Sequence, residues 1–162
     1  MKVELIFITP DAEKLIESAG RTCYQSFGKQ GKDTEKAFIR MLVKMGHLSV
    51  LEHASATFRV SGVSRAFTHQ FVRHRLCSYS QQSQRYVDES NFSYVEPESI
   101  KNNPEAHSKF IEFMDGAKKT YSELQKLGIK NEDARFVLPN AVETQIVATA
   151  NLREWRHIIE LR

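Results

Sequence analysis

The segment from residue 54 to residue 85 reads ASATFRV (54–60), SG (61–62), VSRAFTHQFVRH (63–74) and RLCSYSQQSQR (75–85). Small or apolar side chains at alternate positions of 54–60 predict a strand. Ser61-Gly62 predicts a break, and the helical spacing of apolar residues from Val63 to about His74 predicts a helix. The polar, uncharged run from Ser78 to Gln84 predicts a loop. The segment therefore predicts a strand, a helix and a loop in succession.

The flanking sequence mixes helices and strands on both sides of this segment. A short apolar run predicts a strand at 3–8, and alternation predicts another at 142–148. Capping residues and apolar spacing predict helices after Pro10, from Asp33 to Met45, from Asn103-Pro104 to Gly128, from Asn131 to Phe136, and after Asn151. The longest helix is predicted to bury Phe110, Phe113, Ala117, Tyr121 and Leu124, and the last helix Leu152, Trp155 and Ile159.

The order of these elements favours the α+β class. No regular alternation of strand, helix and strand is present, which argues against a doubly wound parallel sheet. We therefore expect a central antiparallel or mixed sheet packed with long helices. The 162 residues contain no internal repeat and no long linker, so residues 1–162 are predicted to form a single domain.

Composition excludes several classes of protein. With 41% hydrophobic and 27% charged residues, the chain is globular and neither disordered nor collagenous. No apolar run approaches the roughly 20 residues of a membrane span, so no transmembrane helix is expected. Cys23 and Cys77 are far apart, predict neither a disulfide framework nor a zinc site, and suit small packing residues in a reducing cytoplasm. The histidine spacing predicts no metal site.

The charge is unevenly distributed along the chain. The whole chain has a net charge of 23 − 20 = +3, whereas residues 53–87 contain no Asp, Glu or Lys. The cationic residues of this window are Arg59, Arg65, Arg73, Arg75 and Arg85. Guanidinium groups bind phosphate or carboxylate through directed hydrogen bonds, so the window favours anion recognition over a merely solvated basic surface. The chain has no Gly-rich phosphate loop, so side chains must hold any nucleotide phosphate.

The two arginines at the end of the predicted helix suggest two binding sites. Successive helical residues are offset by about 100°, so Arg73 and Arg75 would point in roughly opposite directions if the helix continued through them. Two anionic ligands, or one ligand that spans a subunit boundary, would explain such a pair. The neutral amides and hydroxyls that follow can contact the uncharged edge of a base.

These motifs resemble one enzyme family. Arg73-His74-Arg75, seven further residues, Ser83 and Arg85 resemble the RHR-x7-S-x-R signature of the flavin-dependent thymidylate synthases. Other segments also resemble that family: Gly46-His47 with Leu51-Glu52-His53, Ala134 to Pro139 (AR-x-x-LP), and Asn151-Leu152-Arg153 with Glu160-Leu161-Arg162 (NxR…LR). The resemblance covers nearly the whole chain. Family members continue beyond the position of Arg162, so we expect this chain to be truncated at the C-terminus relative to the family.

The resemblance implies a reaction and an assembly. It implies methylation of dUMP to dTMP, with methylenetetrahydrofolate as carbon donor and FAD as cofactor. It implies that NADPH regenerates the reduced FAD, and that no cysteine acts as nucleophile. It further implies a cytoplasmic homotetramer with shared active sites, which binds neither nucleic acid nor membrane.

The resemblance also implies site residues. The implied FAD-binding residues are Ser49, Arg73, His74, Arg75, Gln81, Asn151, Arg153 and His157. The implied dUMP-binding residues are Gln70, Arg73, Gln81, Gln82, Ser83, Gln84, Arg85, Arg135 and Arg162. Arg162 is also the implied catalytic residue, which would polarise the uracil ring and stabilise its developing negative charge. His47 and Tyr86 are implied for the folate pocket.

Two other functions fit parts of the sequence. One is a nucleic-acid-binding module that uses the arginine-rich window together with stacking aromatic residues such as Tyr79 and Tyr86. The absence of lysines in the window argues against it. The other is a non-catalytic flavoprotein that binds FAD without transferring a methyl group.

Overall fold

The computed structural model describes residues 1–161. Its strands are β1 (Lys2–Ile8), β2 (Ser55–Ser64), β3 (Cys77–Gln81) and β4 (Glu143–Asn151). Its α-helices are α1 (Ala12–Thr22), α2 (Glu35–Lys44), α3 (Arg65–Phe71), α4 (Glu98–Lys101), α5 (Pro104–Lys126), α6 (Asn131–Ala134) and α7 (Leu152–Leu161). Three 3₁₀ turns cover Phe27–Lys29, Leu48–His53 and Arg135–Val137.

The four strands form one antiparallel sheet in the order β1-β2-β4-β3, so β1 and β3 are its edges. Helices and strands do not alternate regularly along the chain. The predicted α+β class with an antiparallel or mixed sheet is therefore confirmed. Among residues 1–161, no helix is both long and apolar enough to cross a membrane.

The chain divides into two compact units. The first unit contains Met1–Lys2, Val60–Arg73 and Ser80–Ile146; the second contains Val3–Arg59, His74–Tyr79 and the residues from Val147 onward. The expectation of a single domain over residues 1–162 stays a prediction.

The core of the second unit forms where α1, α2 and the turn at 48–53 meet. Its buried residues are Ile16, Leu42, Val50, Leu51 and Ala54. Gly20 lets α1 approach α2 closely, because a Cβ atom at this position would lie 2.7 Å from the ring of Phe38. A larger residue at position 20 would therefore displace the Phe38 ring from its present place against α1.

The core of the first unit forms around α5. Its buried residues are Phe92, Met114, Ala117 and Val142. Asn103 caps α5 as predicted, because its Oδ1 accepts hydrogen bonds from the backbone N–H groups of Glu105 and Ala106. Gly128 follows the helix in the left-handed conformation, with φ of 84°.

Three predictions for the segment at 54–85 were wrong. Strand β2 continues through the predicted break to Ser64, and Gly62 within it takes a φ of 67° that other residues rarely adopt. Helix α3 is shorter than predicted and ends at Phe71, so Arg73 and Arg75 are not on a helix. The predicted loop begins as strand β3, over Cys77–Gln81.

Three predicted buried positions are exposed. Phe113 of α5 is 62% exposed, and Met114 takes its place in the core. Ile159 of α7 is 74% exposed, whereas Ile158 is buried. Cys23 is exposed and does not pack in the interior. The other residues predicted for the inner faces of α5 and α7 are buried or half-buried.

Candidate functional site

The second unit contains a cleft of about 480 Å³. Helix α7 and its N-cap supply most of the wall, and the remainder comes from the turn at 48–53 and from Leu76. The residues that line the cleft are Leu48, Glu52, Leu76, Asn151, Arg153, Glu154, Arg156, His157 and Glu160. The cleft thus combines cationic, acidic and apolar groups.

Asn151 and Arg153 fix the start of α7 beside this cleft. The Oδ1 of Asn151 accepts a hydrogen bond from the backbone N–H of Glu154 at 2.9 Å, so the predicted N-cap is confirmed. Arg153 donates from Nη1 to Oε1 of Glu52 at 2.5 Å and is half-exposed. Glu52 therefore orients this guanidinium in the lining of the cleft, to which both residues belong.

His74, the middle residue of the Arg-His-Arg motif, is buried against α7. Its Nδ1 lies 3.7 Å from Oε1 of Glu154, and both side chains are less than 10% exposed. The ring of His157 approaches the His74 ring edge-on, with centroids 6.1 Å apart. The His74 carbonyl accepts a hydrogen bond from the Tyr79 hydroxyl at 2.9 Å. These contacts fix the imidazole next to the cleft.

The cleft gathers only part of the predicted FAD-binding set. Asn151, Arg153 and His157 line it, and His74 contacts its wall. Ser49 and Arg75 are exposed members of the second unit outside the lining, and so is His47. Arg73 and Gln81 belong to the first unit, where Arg73 is exposed.

The first unit brings two predicted dUMP-binding arginines to one acidic residue. Arg85 donates from Nη2 to Oε2 of Glu132 at 3.0 Å, and Arg135 donates from Nε to the backbone carbonyl of Glu132 at 3.0 Å. The hydrogen bond to Glu132 raises the pKa of the Arg85 guanidinium. Arg85 and Glu132 are both partly exposed. The arrangement presents two guanidinium groups to which an anion has access.

Ser83 organises the loop that carries Arg85. Its carbonyl accepts hydrogen bonds from the N–H groups of Tyr86 and Val87, at 3.3 and 3.0 Å. Its Oγ accepts a hydrogen bond from the N–H of Arg85 at 3.3 Å. Ser83 and Gln84 are half-buried, whereas Tyr86 is 81% exposed.

The glutamines of the predicted site differ in their surroundings. Gln81 donates from Nε2 to the buried hydroxyl of Thr68 at 2.8 Å and to that of Thr144 at 3.5 Å. Gln82 donates from Nε2 to Oε1 of Glu89 at 3.1 Å. Gln70 is exposed at the end of α3. The Gln81 and Gln82 amides are therefore oriented by bonds within the first unit.

Three of the five arginines in the window at residues 53–87 already bind another group of the protein. Arg59 pairs with Glu4 at 3.3 Å, Arg65 donates to the Gln82 carbonyl at 3.2 Å, and Arg85 pairs with Glu132. Arg73 and Arg75 are exposed. Since neither is helical, the argument from helix geometry for their divergence does not hold.

Sequence reasoning assigned no role to three acids that contact predicted site residues. Glu154 pairs with His74, Glu132 binds Arg85 and Arg135, and Glu89 binds Gln82. Each of these acids lies within four residues of a motif residue. That proximity could have indicated that they contact the site. Among residues 1–161, no group of three or more His, Cys, Asp or Glu residues could hold a metal ion. Arg162, the implied catalytic residue, lies outside the described residues.

Comparison with known proteins identifies relatives over nearly the whole chain. Residues 4–162 match the family model described as "Thymidylate synthase complementing protein". The chain is 42% identical to the "Flavin-dependent thymidylate synthase" of Nitratidesulfovibrio vulgaris, over 99% of this chain and 74% of the relative. It is 45% identical to the protein of the same name from Geobacter sulfurreducens, over 100% of this chain and 73% of the relative.

A solved structure has the same fold. The crystal structure of Thymidylate Synthase X from Helicobacter pylori, with FAD and dUMP, matches with a TM-score of 0.80 and 24% identity, over 100% of this chain and 84% of that one. At this identity the likeness establishes the fold alone. The family match and the two bacterial relatives establish more: the chain belongs to the thymidylate synthase complementing protein family, that of the flavin-dependent thymidylate synthases.

Proposed function

We propose that this chain is a flavin-dependent thymidylate synthase that converts dUMP to dTMP. Family membership carries the proposal, since relatives 42% and 45% identical over nearly all of this chain bear that name. The signature residues Arg73, His74, Arg75, Ser83 and Arg85 are all present. The enzyme is therefore a methyl-transferring synthase.

The cleft of the second unit suits part of an FAD molecule. Arg153, Arg156 and His157 supply donors for a diphosphate, and Leu48 and Leu76 supply apolar walls. The chain has no Gly-rich loop to bind the diphosphate through backbone N–H groups. Bound FAD would supply the two-electron redox chemistry of the reaction. The H. pylori protein, solved with FAD and dUMP, supports the same pair of ligands here.

We propose that all residues of the implied FAD-binding set contact FAD, and contacts within the protein orient some of them. His74, Asn151 and Arg153 are fixed by bonds within the second unit. Arg75 is exposed and free to contribute a planar fork to phosphate. The same set includes Ser49, Arg73, Gln81 and His157.

The loop of the first unit suits a nucleoside monophosphate. Arg85 and Arg135 provide two guanidinium groups within reach of Glu132, and the Ser83 hydroxyl lies on the same loop. A dianionic phosphate would bind such a pair by charge-assisted hydrogen bonds. Gln70, Gln81, Gln82 and Gln84 complete the proposed dUMP set, and Arg162 is proposed to polarise the uracil ring.

Electron balance determines what the co-substrates must supply. The methylene group of methylenetetrahydrofolate needs one hydride to become the methyl group of dTMP, and it replaces a proton on the uracil ring. If NADPH provides that hydride through the flavin, the folate leaves as tetrahydrofolate. We propose this balance, with His47 and Tyr86 in the folate pocket.

No cysteine is needed as a nucleophile in this scheme. Cys23 is exposed and does not line the cleft of the second unit. Burial raises the pKa of the Cys77 thiol, which leaves it protonated and weakly nucleophilic at neutral pH. A homotetramer with shared active sites is proposed as the working assembly.

Flavin spectroscopy tests the proposal. The purified protein, loaded with FAD, should show an oxidised-flavin absorbance spectrum that changes when dUMP is added. A flavin spectrum that does not respond to dUMP would instead favour the non-catalytic flavoprotein. Salt-sensitive binding to DNA without flavin binding would favour the nucleic-acid-binding module.

A further inference from the structure

Both ends of the loop at residues 83–88 meet at one buried acid. Gln82 precedes this loop and Glu89 follows it. The Nε2 of Gln82 donates to Oε1 of Glu89 at 3.1 Å, and Glu89 is only 5% exposed. One side-chain hydrogen bond therefore closes the loop at its base.

The Gln82 end of the loop is anchored on two regular elements. Its backbone N–H donates to the carbonyl of Gln145 on β4 at 3.0 Å. Its carbonyl accepts a hydrogen bond from Nη1 of Arg65, the first residue of α3, at 3.2 Å. Both backbone polar groups of Gln82, the N–H and the carbonyl, are thus hydrogen-bonded.

The Glu89 end is anchored on the longest helix. The backbone N–H of Glu89 donates to the hydroxyl of Tyr121 at 3.4 Å, and Tyr121 on α5 is fully buried. Burial raises the pKa of the Glu89 carboxyl and lowers the pKa of the Arg65 guanidinium. A buried acid is costly unless its hydrogen bonds are satisfied, so this acid is held by specific partners.

The loop itself is a compact turn above this base. The N–H groups of Tyr86 and Val87 donate to the Ser83 carbonyl, and Arg85 reaches from the turn to Glu132. Ser83 and Arg85 thus lie on a turn whose two ends are joined by the bond between Gln82 and Glu89.

We propose that Glu89 is a positioning residue that closes the loop 83–88 through Gln82 and so holds Ser83 and Arg85 in the geometry that receives dUMP. The identity of the ligand rests on the proposed function, whereas the closure of the loop does not. Glu89 itself contacts no substrate in this proposal. Its effect passes through the backbone of the loop.

The test compares Glu89→Ala with Glu89→Gln in the full chain. Glu89→Ala should weaken dUMP binding about tenfold, because a buried hydrogen bond is lost at the base of the loop. FAD affinity should stay within about twofold, since its proposed residues lie outside this network. Amide hydrogen exchange in peptides spanning 83–88 should accelerate about tenfold, with or without dUMP. Glu89→Gln keeps an acceptor for Gln82 and should restore both readouts.

Asp88→Ala is the matched control, because it removes the neighbouring acid. The hydrogen bonds of Asp88 go to Ser90 and Gln125 and leave residues 82–87 untouched. Exchange at 83–87 and dUMP affinity should therefore stay close to those of the wild type. If Glu89→Ala does not fold, Tyr121→Phe removes the hydroxyl that holds the Glu89 N–H and should also accelerate exchange in the loop.

The outcomes separate this inference from the proposed function. Wild-type exchange rates in folded Glu89→Ala would overturn the positioning role, and so would a Glu89→Gln variant as labile as Glu89→Ala. A wild-type chain that binds FAD but not dUMP would instead overturn the proposed function, while the exchange rates would still decide the role of Glu89.

Discussion

Both candidate sites depend on arginine side chains. The acid that each arginine pairs with determines how easily that arginine can bind an anionic ligand. Arg85 pairs with Glu132, and Arg153 pairs with Glu52, all at partly exposed positions. Exposed ion pairs contribute less than about 1 kcal/mol. A phosphate group can therefore replace the acid at little cost in free energy.

Arg85→Lys tests whether the planar fork of Arg85 matters. Lysine keeps the charge but loses the directed pair of hydrogen bonds, so dUMP affinity should fall by about tenfold. Calorimetric titration of dUMP measures the effect. Arg59→Lys is the control, because Arg59 is also exposed and paired with an acid, Glu4. Equal dUMP affinity in Arg85→Lys and the wild type would remove Arg85 from the binding site.

A variant without cysteines tests the proposed absence of a thiol nucleophile. Cys23 is exposed and the pKa of the Cys77 thiol is raised by burial. Cys23→Ser combined with Cys77→Ser should therefore keep dTMP formation within about threefold of the wild type, because the proposed reaction uses no thiol nucleophile. A folded, FAD-bound double mutant without turnover would mean that a cysteine takes part in the chemistry.

Glu89 predicts a pH dependence of stability. Burial raises its pKa above the ordinary value of 4.5, so the folded state disfavours the carboxylate. The stability that Glu89 contributes is fully present below that ordinary pKa and is lost as the pH rises through the raised pKa. Glu89→Gln does not titrate, so it should become more stable relative to the wild type over this pH range. Urea unfolding of both proteins at a series of pH values measures the difference, and a constant difference would contradict the assignment.

At the scale of elements, the helix caps were predictable from local sequence, whereas the pairing of the strands was not. Asn103 and Asn151 were predicted as N-caps because a cap depends on residues within one turn. Strand β3 was predicted as a loop because its sequence, CSYSQ, is mostly polar. It forms a strand because it pairs with β4 at the edge of the sheet, and that pairing is not encoded in the segment itself.

The two N-caps, Asn151 and Asn103, should affect stability alike but FAD binding differently. Asn151→Ala and Asn103→Ala each remove a capping acceptor and should lower the free energy of unfolding by about 1 kcal/mol. Only Asn151 begins the helix that lines the cleft of about 480 Å³. Asn151→Ala should therefore also weaken FAD binding, as measured by flavin fluorescence. If both variants bind FAD like the wild type, the start of α7 has no role in the flavin site.

At the scale of the whole molecule, the edge strand β1 predicts association between copies. Every residue of β1 is exposed, although five of the seven are apolar: Val3, Leu5, Ile6, Phe7 and Ile8. An exposed apolar edge strand is ordinarily covered in the working state of a protein. This exposure agrees with the proposed homotetramer.

Phe7→Arg tests that association. A charge on β1 should reduce the molar mass in solution, as measured by light scattering, while the chain remains folded. Tyr24→Arg is the control, since Tyr24 is a 78% exposed aromatic residue outside β1. A wild-type chain that is already monomeric, or a Phe7→Arg variant of unchanged mass, would contradict the assignment of β1 as an interface.

The sequence predicted the fold class and the family, and it predicted the site residues only by resemblance. The motif residues His74, Arg85, Arg135 and Asn151 do lie in two bonded clusters. Their acidic partners were not predicted, because contacts such as Arg85–Glu132 join residues 47 positions apart. Arg162 lies outside the described residues, so its catalytic role stays a prediction.

The most direct test of the proposed activity is product formation with defined omissions. FAD-loaded protein, dUMP, methylenetetrahydrofolate and NADPH are incubated, and the nucleotide and folate products are separated by chromatography. We predict dTMP together with tetrahydrofolate, and no dTMP when either FAD or NADPH is left out. Protein that binds FAD and dUMP but forms no dTMP in the complete mixture, or forms it equally well without FAD and NADPH, would contradict the assignment.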